Sequence, residues 1–156
     1  MLNQTAFRIV LVVLGVVGAG LAHAAQRTFV ASYGQDSSPC SVTQPCRGFA
    51  AALLNTDAGG EIIVLDSAGY GTVAIGKSVS IIAPPGVYAG ISVFTGTGIS
   101  TFGPGNRIVL RGLTINGQGG GSGIQILDGT DVLVESCSVT GMTSIGILIH
   151  NAGTRA

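Results

Sequence analysis

The sequence predicts an all-β fold: a right-handed parallel β-helix of about four coils behind an N-terminal cap of one strand and one helix. Three observations predict it. From Gly60 onward, short runs alternate apolar and polar residues and are separated by glycine, with no helical period. Residues 107–116 recur as residues 131–140, a shift of 24. Residues 123–127 recur as residues 146–150, one residue shorter. A repeat of this length with two or three short strands marks a solenoid, because one turn cannot bury its own inner face and its neighbours must.

Residues 1–24 read as an export signal. Arg8 supplies the positive start, residues 9–21 are apolar, and Ala22-His23-Ala24 fits the small-x-small pattern cut by a signal peptidase. The apolar run is short for a membrane span, which needs roughly 20 residues. Residues 25–60 are the expected cap, with a strand over residues 28–32 and a helix over residues 45–55. Phe49, Ala52 and Leu53 share one helix face, Pro45 sits in the first turn, and Gly59-Gly60 ends the element. Residues 61–156 are the expected coils.

The 24-residue shift names the inner columns. Ile108 meets Val132, Leu110 meets Val134, Leu113 meets Cys137 and Ile115 meets Val139. Gly112 and Ser136 fall where the chain turns between faces, and Ile124 and Ile126 take the third face. Upstream, Val79 and Ile81 repeat the first strand, with Ile91 and Val93 expected on the third face. Residues 61–66 and 72–75 start the stack, and residues 83–88 read as a protruding turn. The register also sets Arg107 over Asp131 and Arg111 over Glu135 as two cross-coil ion pairs. After Gly153 the chain stops soon after a strand, so the last coil is expected to be incomplete, with an apolar end that self-associates or limits solubility.

Composition restricts function. Lys and Arg number 7 and Asp and Glu 7, with no basic run, so neither nucleic acid nor an anionic surface is an expected partner. There is no Trp and aromatic content is 5%, which leaves no large stacking platform. Cys40 and Cys46 read as a local disulfide in an exported protein. A metal site would need two further ligands, and none is evident at suitable spacing. Cys137 falls inside an apolar alternation and reads as a small core residue.

The motifs Phe29-Val30-Ala31-Ser32-Tyr33-Gly34-Gln35-Asp36, Pro45-Cys46-Arg47-Gly48-Phe49 and Gly60-Glu61-Ile62-Ile63-Val64, followed by Tyr70, resemble the N-terminal cap of secreted right-handed parallel β-helix proteins of pectin-lyase-like fold. The version with Cys40 and Cys46 is similar to a bacterial group of such caps. The resemblance covers the chain after residue 24 and implies the fold. It implies no single activity, because lyases, hydrolases, epimerases and adhesins share that fold.

No catalytic residue, metal or cofactor is expected. The aspartate clusters of β-helix hydrolases and the aspartate-calcium sites of the lyases have no counterpart here. Asp128, Asp131 and Glu135 are the only clustered acids, and two of them fall opposite arginines. Asp36, with Asp57 as a distant companion, reads as a turn cap rather than a calcium ligand. His150 reads as a surface residue, and residues 117–123 as a solenoid corner rather than a phosphate loop. The expected role is a scaffold that binds a polysaccharide or cell-surface component. The alternative is the first part of a polysaccharide lyase or hydrolase.

Overall fold

The computed structural model describes residues 25–127 and 130–150. The expected export signal, Asp128 and the residues after His150 lie outside the described residues. Strand β1 (Ala25–Val30) leads through a loop to helix α1 (Phe49–Asn55). Then come β2 (Thr56–Val64), β3 (Ala68–Gly69), β4 (Val73–Ile75), β5 (Val79–Ile82), β6 (Ala89–Val93) and β7 (Thr97–Thr101). They are followed by β8 (Arg107–Arg111), β9 (Leu113–Gly117), β10 (Ser122–Leu127), β11 (Asp131–Glu135), β12 (Ser138–Thr140) and β13 (Ile145–His150).

These strands form three sheets, and every pairing in them is parallel. The first sheet is β1-β2-β5-β8-β11, the second β3-β6-β9-β12 and the third β4-β7-β10-β13. From β2 onward the chain visits first, second and third sheet in turn, and each return lands one strand further along. The protein is therefore predominantly β, with stacked parallel sheets compatible with a parallel β-helix.

The registers follow the repeat. Arg107 to Arg111 pair residue by residue with Asp131 to Glu135, and Thr114 to Asn116 with Ser138 to Thr140. In the third sheet Ile124 pairs with Ile147, the shift of 23. Like residues then stack inward in columns: Ile62–Ile81–Leu110–Val134, Ile91–Ile115–Val139 and Val73–Ile99–Ile124–Ile147. The corner between first and second sheets takes one residue in the left-handed region, Gly112 at φ 73° and Ser136 at φ 51°.

Three expectations are corrected. Ile91 and Val93 belong to the second sheet, where Ile91 pairs with Ile115, and the third face of that turn is β7 with Ile99. The Pro84–Val87 turn, closed by Val87 N–H on the Pro84 carbonyl at 3.1 Å, replaces the one-residue corner and carries the chain further before it re-enters a sheet. The helix starts at Phe49, not Pro45, because Cys46 is held by β1: its N–H donates to Phe29 O and its carbonyl accepts from Ala31 N–H. Gly59-Gly60 does not end the helix. Thr56 does, in extended conformation with its hydroxyl donating to Ala52 O at 2.6 Å, and β2 begins there.

Helix α1 packs on β1, β2 and β4 and buries Phe49, Ala52 and Leu53. The other end of the stack differs. Ile124 is 0% exposed, while its column partner Ile147 is 45% exposed and Ile149 68%. In each sheet the last strand has a partner on one side only among the described residues.

Of the buried polar side chains Thr28, Thr56, Thr101 and Ser122, Thr101 is the one without a hydrogen-bond partner among the described residues. It lies between Ile75 and Ile126, with its hydroxyl buried. Thr101→Val keeps the shape and removes that unpaired group, so it should raise unfolding stability by about 1 kcal/mol in urea titration.

Candidate functional site

The densest polar cluster sits where the cap loop meets the first turn of the stack. Asp36 Oδ1 accepts hydrogen bonds from the N–H groups of Arg47 at 2.8 Å and Gly48 at 2.9 Å. It caps the approach to α1, whose own N-cap residue is Gly48 with no side chain to do so. Arg47 donates to Gly69 O at 2.6 Å, and its guanidinium lies 5.8 Å from the centre of the Tyr70 ring. Tyr70 packs against Phe49 at 5.3 Å, and its hydroxyl donates to the carboxylate and the carbonyl of Asp66. Asp66 also accepts from Ser32 N–H and hydroxyl. The cluster ties β1, the loop, α1 and the start of β3 together.

Those bonds set its titration. The Ser32 hydroxyl, then the Tyr70 hydroxyl, hold Asp66 below its ordinary value of 3.8. Burial, then the hydrogen bond to Asp66, pushes Tyr70 far above its ordinary 10.0. Asp66 therefore contributes its full stabilisation above pH 3.8 and loses it as pH falls through the lowered value. Tyr70 contributes below pH 10.0 and loses its contribution as the pH rises towards the raised value. Melting temperature should therefore hold level between these limits and fall at both ends. Tyr70→Phe should lower the plateau and flatten the alkaline limb.

Cys40 and Cys46 lie at disulfide distance, with Cα atoms 4.6 Å apart. Both are fully buried, and Cys40 adopts φ 56°, a conformation rare for a side-chain-bearing residue. Cys137 is half-buried, and burial pushes its thiol up, away from the reactive thiolate.

Two acids form ion pairs among the described residues. Arg27 and Glu61 meet across β1 and β2 at 2.5 Å, and Arg111 and Glu135 across β8 and β11 at 2.6 Å. Arg107 and Asp131 are partners in register, yet they do not close to ion-pair distance, so that expected pair is corrected. Both side chains are exposed, where water competes and such a contact is worth little. Asp57 lies in β2, just after the C-terminal end of α1, while Asp36 bonds at its N-terminal approach. His150 is exposed at the end of β13. No group of three or more His, Cys, Asp or Glu assembles among the described residues. Residues 117–123 form the corner between second and third sheets, where Cβ on Gly117 would lie 2.1 Å from Gly141 O.

The three outer faces differ. The first sheet carries the charges: Arg27, Asp57, Glu61, Arg107, Arg111, Asp131 and Glu135. The third presents the mixed row Ala74–Ser100–Gln125–Leu148. The second carries no ionisable side chain on any strand, and presents Ser92, Thr114, Asn116, Ser138 and Thr140. At its edge the Tyr88 ring folds back over Gly90, close enough to collide with any Cβ placed there.

Sequence reasoning missed the Asp66–Tyr70–Arg47 cluster. The signal was an acid at the end of an alternating strand with tyrosine four residues on, but its partners Ser32 and Arg47 come from other elements.

Fold and site together define a class: an all-parallel β protein of three stacked sheets with a helix packed on the first turn. No helix among the described residues is long and apolar enough to cross a membrane. Comparison of the chain with protein-family models, curated proteins and solved structures finds no match.

Proposed function

We infer that the chain is an exported right-handed parallel β-helix of about four coils that serves as a binding scaffold for a polysaccharide or cell-surface component, without catalysis of its own. The observation that carries this reading is the use of the carboxylates. Asp36 and Asp66 brace the cap, Glu61 and Glu135 pair with arginines, and the two described acids without a partner among the described residues, Asp57 and Asp131, lie on strands three apart in the first sheet, about 14 Å at the strand spacing. Glycoside hydrolysis instead needs two carboxyl groups facing each other across a cleft, about 6.5 to 9.5 Å apart for inversion and about 5 to 5.5 Å for retention. Export is supported by the charge, apolar run and Ala22-His23-Ala24 site of residues 1–24, and by the paired Cys40 and Cys46 in the mature part.

Two measurements test the reading. Residues 1–24 fused to a reporter enzyme should direct its export, with cleavage after Ala24. The purified mature chain, incubated with polygalacturonate, alginate and neutral glycans with and without calcium, should retain polymer and release no shorter product. Product formation abolished by Asp131→Asn would overturn the scaffold reading and make the chain part of a polysaccharide-cleaving enzyme.

A further inference from the structure

We propose that the outer face of the second sheet binds an uncharged polysaccharide, with Tyr88 as its stacking surface and the Ser, Thr and Asn rows as its hydrogen-bonding groups. The inference rests on the scaffold reading and adds the face and the ligand class.

The geometry comes from the register. Gly90, Thr114 and Ser138 form one outward row, and Ser92, Asn116 and Thr140 the next. Neighbours within a row stand at the strand spacing of about 4.8 Å, and the rows are about 6.7 Å apart along each strand. Ser92, Ser138 and Thr140 are exposed, and Thr114 and Asn116 half-buried. Nearby outer groups are committed: Ser67 accepts from Tyr88 N–H, and Gln125 donates to Ser122. The five row side chains hold no such bond among the described residues, so their hydroxyl and amide groups remain available to a ligand.

Tyr88 completes the face. A Cβ at Gly90 would lie 2.6 Å from Cε1 of the ring and 2.8 Å from its hydroxyl oxygen, so the outer end of the Tyr88 ring lies over the Gly90 backbone. The side chain remains 49% exposed, which leaves about half of it to solvent. Gly69 on the adjacent strand has no side chain to cover it, and Thr114 stands on the other neighbour. A half-exposed aromatic side chain thus borders a field of neutral donors and acceptors.

That combination selects the ligand by chemistry. A sugar ring offers a C–H face to an aromatic ring and hydroxyls to Ser, Thr and Asn. Nucleic acid and acidic polysaccharide both need Lys or Arg to offset their charge; β3, β6, β9 and β12 contain neither, and Arg47 at the β3 edge is a single cation already bonded to the Gly69 carbonyl. A protein partner would need an apolar centre larger than one ring.

The test is co-sedimentation of the mature chain with insoluble neutral polymers, cellulose, chitin and a β-1,3-glucan, and retardation by soluble polygalacturonate and alginate. Thr114→Val and Thr140→Val remove hydroxyls while preserving strand shape, Tyr88→Ala removes the platform, and Ser100→Ala on the third sheet is the control. Circular dichroism and melting temperature check that each variant folds. The expected result is binding to at least one neutral polymer, insensitive to salt. Tyr88→Ala should weaken it about tenfold, the scale of one good aromatic contact. Thr114→Val with Thr140→Val should also weaken it, and Ser100→Ala should not. Binding unchanged in the folded face variants would overturn the proposed site. Binding confined to acidic polymers, or to none, would overturn the ligand class. Binding confined to acidic polymers leaves the scaffold reading standing, retention of no polymer fails that reading as well, and release of product overturns it whatever the face variants do.

Discussion

Ile115→Ala should lower unfolding free energy by about 3 to 4 kcal/mol, within the usual range for a large buried aliphatic cut to alanine. Ile115 is 0% exposed and sits mid-column, paired with Ile91 on one side and Val139 on the other. Its methyl group also approaches Gly98 in β7, where a built Cβ would lie 3.0 Å from it. The missing methyl and methylene groups therefore leave a cavity bounded by neighbouring strands that are pinned by their own ladders, and the walls cannot collapse into it. Urea titration followed by far-ultraviolet circular dichroism measures the loss. Ile115→Val should cost about 1 kcal/mol by the same physics. Ile149→Ala is the contrasting case: the residue is 68% exposed, so its loss should be under about 1 kcal/mol. Equal losses at Ile115 and Ile149 would show that Ile115 is not in a closed core.

Gly34→Ala should destabilise by about 3 kcal/mol or more, the upper end for overpacking, through a backbone collision. A Cβ at Gly34 would stand 2.2 Å from the carbonyl oxygen of Cys46 and 2.8 Å from that of Pro45. Neither obstacle is a side chain that can swing away. The Cys46 carbonyl accepts from Ala31 N–H at 3.0 Å and the Pro45 carbonyl from Gln35 N–H at 3.0 Å. Relieving the clash pulls the loop off β1 and breaks those bonds, and it displaces the residues that hold Cys46 and Asp36. Near-ultraviolet circular dichroism should change with it, because Phe49 and Tyr70 lose their fixed packing. Gly69→Ala provides the control. Its Cβ would meet nothing closer than 3.9 Å, so stability should change by less than about 0.5 kcal/mol. A melting temperature for Gly34→Ala equal to that of the parent would mean that the loop does not sit against residues 45–46 as described.

The repeating part of the fold was legible because its physics is local in sequence. Parallel strands stacked at a fixed offset put residues 24 apart in contact, so Ile108–Val132 and Leu110–Val134 could be paired by alignment alone. The one-residue corners were legible at Gly112, since glycine tolerates φ 73° without strain. The reading failed where the repeat is interrupted. Ile91 and Val93 went to the wrong face because a turn of unequal length leaves alternation intact and shifts the sheet to which it belongs. The helix start failed for a related reason. Pro45 is a good first-turn residue, but the ladder between Cys46 and β1 outweighs that local preference.

The candidate face shows the same division. Alternation already assigns Ser92, Asn116 and Thr140 to solvent, and their freedom from charge is plain in the sequence. That Tyr88 covers Gly90, and Phe102 covers Gly76, depends on where a ring comes to rest across backbone, which no spacing rule contains. The cap is the extreme case. Ser32, Asp36, Arg47, Asp66 and Tyr70 come from separate elements and meet only after β1, the loop and β3 have docked. Periodicity, glycine placement and composition determine a stack of parallel strands, its inner columns and its lack of basic patches, because each depends on neighbours at a constant separation. Tertiary structure decides the sheet to which an irregular turn delivers its strand, the network that locks the cap, and the ring that borders the uncharged face, because those contacts join residues whose separation follows no repeat.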